Sequence, residues 1–176
     1  ALDLVDKGLM TNQLVLTVGY DIENLTDPER RKRYTGPVTT DPYGRKIPKH
    51  AHGTANLEQY SSSSQDLMEA VSALYDRIMD RSLLIRRLSI SANHLVDEAE
   101  AHRRQQPEQL DLFTDYAAQE EQQAKQEAAH AREKKLQEAM LGIKKKYGKN
   151  AILKGMNLEE GATARERNQK IGGHQQ

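Results

Sequence analysis

The chain has 176 residues, of which 36% are hydrophobic, with a mean hydropathy of −0.85, and this excludes a core spanning its whole length. The formal net charge is zero, so overall charge selects neither nucleic acid nor membrane. Absence of cysteine excludes disulfides and thiolate metal sites and suits the cytoplasm, and no apolar run is long enough to read as a membrane span or signal peptide.

Ala1 to Met10 places Leu2, Val5 and Leu9 on one side of a short helix, which Gly8 and Thr11-Asn12 weaken and end. The pattern is under way at Ala1, so the chain reads as a fragment. Gln13 to Tyr20 predicts a strand with Leu14, Leu16, Val18 and Tyr20 on one face. Val15, Thr17 and Gly19 make a small second face, open to solvent or to another backbone. Asp21 to Gly53 holds four of the five prolines and predicts a long loop or a loose ribbon. Between Arg30 and Tyr60 seven basic residues stand against Asp41 and Glu58, a local net charge of +5. Asp41-Pro42-Tyr43-Gly44 suits a type I turn, a hairpin tip presenting Arg45, Lys46 and Lys49.

Thr54 to Tyr60 predicts a second strand, and the serines 61 to 64 supply an N-cap. Gln65 to Met79 is the clearest helix, with Leu67, Val71, Leu74 and Ile78 forming its buried stripe. From Leu83 to Ala92 the period returns to two, with Leu88, Ile90 and Ala92 facing in and Arg87, Ser89, Ser91 and Asn93 facing out. The expected fold is α+β: a small antiparallel sheet with two helices on one face, then a mostly helical polar C-terminal extension. The expected divisions are a domain at 1–98, a linker at 99–115, a helix at 116–148 and a flexible tail at 149–176. The helix carries a late stripe of Leu136, Met140, Ile143 and Tyr147, followed by a Gly148 stop. In the tail, Thr163-Ala164-Arg165-Glu166 has the capping-box pattern.

Within the linker, Gln109-Leu110-Asp111-Leu112-Phe113 stands out, because Phe113 is the sole phenylalanine and lies in a polar run. Leu112 and Phe113 suit adjacent anchors of a docking peptide, with Leu110 in support and the Gln109 amide setting register. The bland reading is a short helix burying the same apolar side chains on the domain. The pattern resembles the bacterial sliding-clamp-binding pentapeptide at every specified position.

Longer stretches extend the resemblance: Leu2 to Leu9, Leu16 to Asp21, Gly53 to Leu57, Ile85 to Asn93, Lys145 to Gly155 and Gly172-Gly173-His174. Together they resemble the C-terminal part of Y-family translesion DNA polymerases, in the UmuC/ImpB/MucB/SamB-like branch of Gram-positive bacteria. The resemblance implies a little-finger domain whose first strand lies before Ala1, a DNA-backbone partner, a sliding-clamp partner and the rest of the polymerase. It puts catalysis, with its magnesium-binding carboxylates, in a palm outside these residues. Asp3, Asp6, Asp21 and Asp27 match none of the family's catalytic motifs, so no catalytic residue and no cofactor is expected here.

Holding DNA by its backbone requires cations and hydroxyls against phosphate, and the candidates are Lys46, Lys49, Thr54, Arg86, Arg87 and Ser89. Arg86 is awkward, since its parity puts it on the Leu88/Ile90 face unless it lies at the strand's start. No aromatic interleaving suggests base stacking. A rival reading is a stand-alone, non-enzymatic clamp-binding regulator. A metal enzyme built on His50 and His52 fails, because no third ligand has suitable spacing.

Overall fold

The computed structural model describes residues 1–105 and 116–169, and the chain divides into two compact units. One runs from Gly8 through the helix ending at Gln105; the other joins Leu2–Lys7 to the residues from Tyr116 onward. Helix α1 is Leu2–Lys7, and Gly8, at φ +64°, ends it. A left-handed residue after a helix favours glycine. Strand β1 begins at once and covers Leu9–Tyr20, so Leu9 belongs to the sheet and not to the helical stripe expected of it.

The stretch expected to be a loop or ribbon contains helices α2 (Glu23–Thr26) and α3 (Pro28–Arg33), then a two-stranded hairpin of β2 (Val38–Thr40) and β3 (Lys46–Pro48). Helix α3 forms because the Asp27 side chain accepts the Arg30 N–H at 2.8 Å and Pro28 takes a first-turn position, where its missing N–H costs nothing. Strand β4 is Ala51–Ser61, helix α4 Ser64–Ile78, β5 Ile85–Asn93, β6 Val96–Asp97 and helix α5 Glu98–Gln105. Ser63 caps α4, its hydroxyl accepting the N–H groups of Gln65 and Asp66 at 3.1 and 3.2 Å.

Strand β1 is the centre of the sheet. It pairs antiparallel with β4 on one edge and with β5, then β6, on the other. His94, at φ +49°, lies between β5 and β6, where the second partner replaces the first. Helix α4 packs on β4 and β1, and Leu16, Val18, Tyr20 and Leu74 make the buried centre. Each such aliphatic side chain contributes about 1.5–3 kcal/mol through removal from water. Ala51, Gly53 and Ala55 lie opposite Val18, Leu16 and Leu14, a row of small residues that lets α4 approach. A Cβ on Gly53 would lie 2.9 Å from both Leu74 Cδ1 and Ile78 Cγ2.

Two expectations about burial are corrected. Leu88 and Ile90 share the core face, opposite Val18 and Leu16, yet are 52% and 56% exposed. Helix α4 covers the β4–β1 half, which leaves the β5 end of that face open. Helix α5 occupies residues expected to begin a linker; it packs on β1, β4 and β6 and buries Ala101 completely.

In the second unit, α6 (Tyr116–Tyr147) packs against α1, and Asp6 forms an ion pair with Lys145. Gly148, at φ +91°, ends α6, its N–H bonded to the Lys144 carbonyl at 2.9 Å. The expected stripe is corrected too: Leu136, Ile143 and Tyr147 are exposed, whereas Gln137 is buried and Met140 and Leu141 are half-buried. The packed face is therefore rotated from the one that hydrophobicity suggested. After a short 3-10 turn at Gly155–Leu158 comes α7 (Ala164–Asn168), which starts after Thr163 without the side-chain cap expected of that residue.

Candidate nucleic-acid interface

The face of the sheet that looks away from α4 is built by alternation. Odd-numbered residues of β1 from Gln13 to Gly19 point to it, and pairing brings Asn56, Thr54 and His52 from β4 and Asn93, Ser91, Ser89 and Arg87 from β5 alongside. All seven flanking residues are exposed. Adjacent amides connect the first row: Gln13 Nε2 donates to Asn56 Oδ1 at 3.0 Å, and Asn93 Nδ2 donates to Gln13 Oε1 at 3.2 Å. Val15 lies between Thr54 and Ser91 in the second row, and Thr17 between His52 and Ser89 in the third. Thr17 Oγ1 is 3.0 Å from His52 Nδ1. Gly19 pairs with the exposed Arg87 in the last row, which puts a cationic residue opposite one without a side chain. The result is a shallow surface of amides and hydroxyls with positive charge at one end.

Arg86 is resolved by a register shift. Gly19 pairs with Arg87 and Tyr20 with Ile85, so Arg86 is the extra residue of a bulge and leaves the alternation that would have turned it inward. Its guanidinium reaches Asp21 Oδ2 at 3.4 Å and remains largely exposed. The Glu23 backbone N–H holds the Asp21 carboxyl below its ordinary pKa; burial opposes this, and Arg86 and Arg45 add to the lowering.

The hairpin tip forms as expected. Lys46 pairs across to Thr40, and Gly44, at φ +79°, donates its N–H to the Asp41 carbonyl at 3.0 Å. Asp41 organises the tip: its side chain accepts the N–H groups of Tyr43 and Arg45, each at 2.9 Å, and Arg45 Nε at 2.7 Å.

Of the residues expected to contact DNA, Thr54, Arg87 and Ser89 share the outer face of the sheet and Arg86 adjoins its charged end. Lys46 and Lys49 instead belong to the separate hairpin, where Lys46 Nζ donates to Thr40 Oγ1 at 2.9 Å and the Lys49 N–H bonds to the Pro37 carbonyl. Gln13, Thr17, His52, Asn56, Ser91 and Asn93 were not expected. Their alternation in the sequence was the available signal, but reading only for cations and hydroxyls near cations passes over amides. Gln109, Leu110, Leu112 and Phe113 lie outside the described residues.

The four aspartates weighed above each have a partner or a capping role. Asp3 pairs with Lys7 at 2.9 Å, Asp6 with Lys145 and Asp21 with Arg86, while Asp27 caps α3. Among the described residues no group of three His, Asp or Glu side chains is placed to hold a metal, and no helix is long and apolar enough to cross a membrane.

An exposed, polar, mostly flat face ending in guanidinium groups belongs to the class of surfaces that suit a polyanion backbone. Residues 1–112 match the model of the impB/mucB/samB family C-terminal domain, and the chain belongs to that family. It is the C-terminal region of a UmuC-like Y-family translesion DNA polymerase, which ties it to DNA repair and to a DNA-binding polymerase domain. Comparison with curated proteins and with solved structures gives no match.

Proposed function

We propose that this chain holds template–primer DNA by its backbone and tethers its polymerase to the sliding clamp, as part of error-prone synthesis across damage in the cytoplasm. The observation that carries the first half is the outer face of the sheet. Thr54, Ser89 and Arg87 converge there with the amides of Gln13, Asn56 and Asn93 and the hydroxyls of Thr17 and Ser91, and Arg86 stands at the end. Such groups contact phosphate and sugar without reading sequence. The amides and hydroxyls hydrogen-bond the backbone, and the guanidiniums supply the charge that makes binding depend on salt. The test is equilibrium binding of the 176-residue chain to duplex DNA of unrelated sequences at rising salt. Affinity falls steeply with salt and varies little with sequence; affinity unchanged between low and moderate ionic strength sinks the backbone reading.

The tether rests on Gln109, Leu110, Leu112 and Phe113, whose order matches the clamp-binding pentapeptide. Leu112→Ala with Phe113→Ala abolishes capture by purified sliding clamp and leaves the thermal midpoint unchanged. A large fall in that midpoint instead means that these side chains are buried in the protein's own fold. Assignment to the branch found in Gram-positive bacteria rests on all the quoted stretches together, from Leu2 to Leu9 through Gly172-Gly173-His174.

A further inference from the structure

At the end of the β2–β3 hairpin Tyr43 is 82% exposed, more than any other large hydrophobic side chain among the described residues. An aromatic ring on a loose loop would be unremarkable, but this loop is tied down. The Asp41 carboxylate bonds to the Tyr43 N–H, the Arg45 N–H and the Arg45 guanidinium, and the turn closes with Gly44 N–H on the Asp41 carbonyl. The Arg45 guanidinium lies 5.2 Å from the centre of the Tyr43 ring. That is within cation–π range, so one side of the ring is supported. Holding an apolar ring rigidly in water has no benefit to the fold, since it removes little apolar surface from solvent. It does lower the entropy lost when a planar partner docks on the ring.

The surroundings indicate which planar partner. Arg45 backs the ring, and Lys46 and Lys49 follow it on the same hairpin segment. A ring backed by a guanidinium, on a hairpin that carries two lysines, suits a molecule that is both flat and anionic, and every nucleobase on a phosphate chain is that. A base inside a duplex has its faces covered by its neighbours, so the ring is suited to an unpaired one.

We propose that the hairpin tip is a base-stacking site, with Tyr43, fixed by Asp41 and backed by Arg45, taking an unpaired nucleobase of single-stranded DNA. The site deepens the backbone-holding reading and rests on it: the sheet grips the duplex portion while the tip engages an adjoining single strand. The sequence hid this, because one tyrosine in a turn does not make an aromatic pattern; the structure adds the bracing and the guanidinium.

The chain contains no tryptophan, so Tyr43→Trp makes a single fluorescent reporter at the tip. The full chain carrying it is titrated with a primer–template bearing a single-stranded overhang, with a blunt duplex, and with heparin as a polyanion without bases. Stacking quenches the emission with the overhang DNA and leaves it nearly unchanged with the other two. In parallel, Tyr43→Ala weakens overhang binding about tenfold and blunt-duplex binding less than about twofold. Equal quenching by heparin, or a Tyr43→Ala effect that is absent or equal on both DNAs, overturns the base-stacking site. In those cases salt-dependent binding of blunt duplex by the unaltered chain leaves the backbone reading standing. If the unaltered chain binds neither DNA, the backbone reading fails and takes the tip with it.

Discussion

Asn24 shows how one side chain joins distant parts of the first unit. It is almost wholly buried: its Nδ2 donates to the carbonyls of Asp21 and Leu84, and its Oδ1 accepts the Leu84 N–H, each at 2.9 Å. Asn24→Ala leaves the part-buried Leu84 N–H without this acceptor, while the Leu84 carbonyl keeps the Asp21 N–H at 2.8 Å, and the loss is about 1–3 kcal/mol. Chemical denaturation measures it as a lower midpoint, while duplex affinity per folded molecule stays the same because Asn24 is not on the outer face. Nothing local in Glu23-Asn24-Leu25 announces this role, since the partner at Leu84 is 60 positions away. Asp41 supplies a pH prediction at the same scale. Burial alone would raise its pKa, but the Arg45 and Tyr43 N–H groups and the Arg45 guanidinium outweigh it, so the carboxyl titrates below the ordinary aspartate value. A depressed carboxyl stabilises the folded tip fully above its unfolded pKa, and that contribution disappears as pH falls through the folded one. The protection of the Tyr43 and Arg45 amides from exchange, taken relative to the intrinsic rate at each pH, therefore falls only in acid, below the ordinary aspartate range. Loosening between neutral and mildly acidic pH would contradict this account.

Among the elements, those legible in the sequence were those specified by local period. The alternation of Leu14, Leu16, Val18 and Tyr20 and the stripe from Leu67 to Ile78 give β1 and α4 within a few residues of their ends. Pro28 misled, because proline inside a helix breaks it whereas proline after an aspartate cap begins one. Period also says which residues share a face, but not whether anything covers it, which is why Leu88 and Ile90 were expected to be buried and are not. The α4–sheet contact has a sharp test in two glycines of the same sheet. A side chain at Gly53 collides with Leu74, which is nearly fully buried, and with Ile78; one at Gly19 meets the Arg87 carbonyl at 3.6 Å and the Arg87 Cβ at 3.8 Å, both ordinary contacts. Gly53→Val destabilises the domain by about 1–3 kcal/mol through overpacking. Gly19→Ala shifts stability by no more than about 0.5 kcal/mol. Thermal unfolding of the two variants checks the contrast, and equal losses would mean that α4 does not press on β4 as described.

For the whole molecule, the outer face of the sheet and the pentapeptide belong to one scheme only if they act together. The α+β class and the outward parity of Arg87 and Ser89 were readable in the sequence; that Thr54 shares their face came only with the register of β4 against β1. The outward placing of Arg86 was not, since it depends on a bulge that parity does not reveal. Two weak attachments joined by one chain convert the second binding event into an intramolecular one, so their combination exceeds either alone without any new contact. On primed DNA carrying a loaded clamp, the chain therefore binds more tightly than on naked DNA by a factor on the order of 10² or more. Arg86→Ala with Arg87→Ala weakens attachment to both kinds of DNA and flattens the salt dependence, because two phosphate contacts are gone. Leu112→Ala with Phe113→Ala removes the gain from the clamp and leaves the naked-DNA affinity as it was. Surface-immobilised primed DNA, with and without loaded clamp, reads all three chains in one series. If the clamp gain survives loss of Leu112 and Phe113, the attachment lies elsewhere in the chain; if it disappears with Arg86 and Arg87 alone, the two contacts are one site and not a tether.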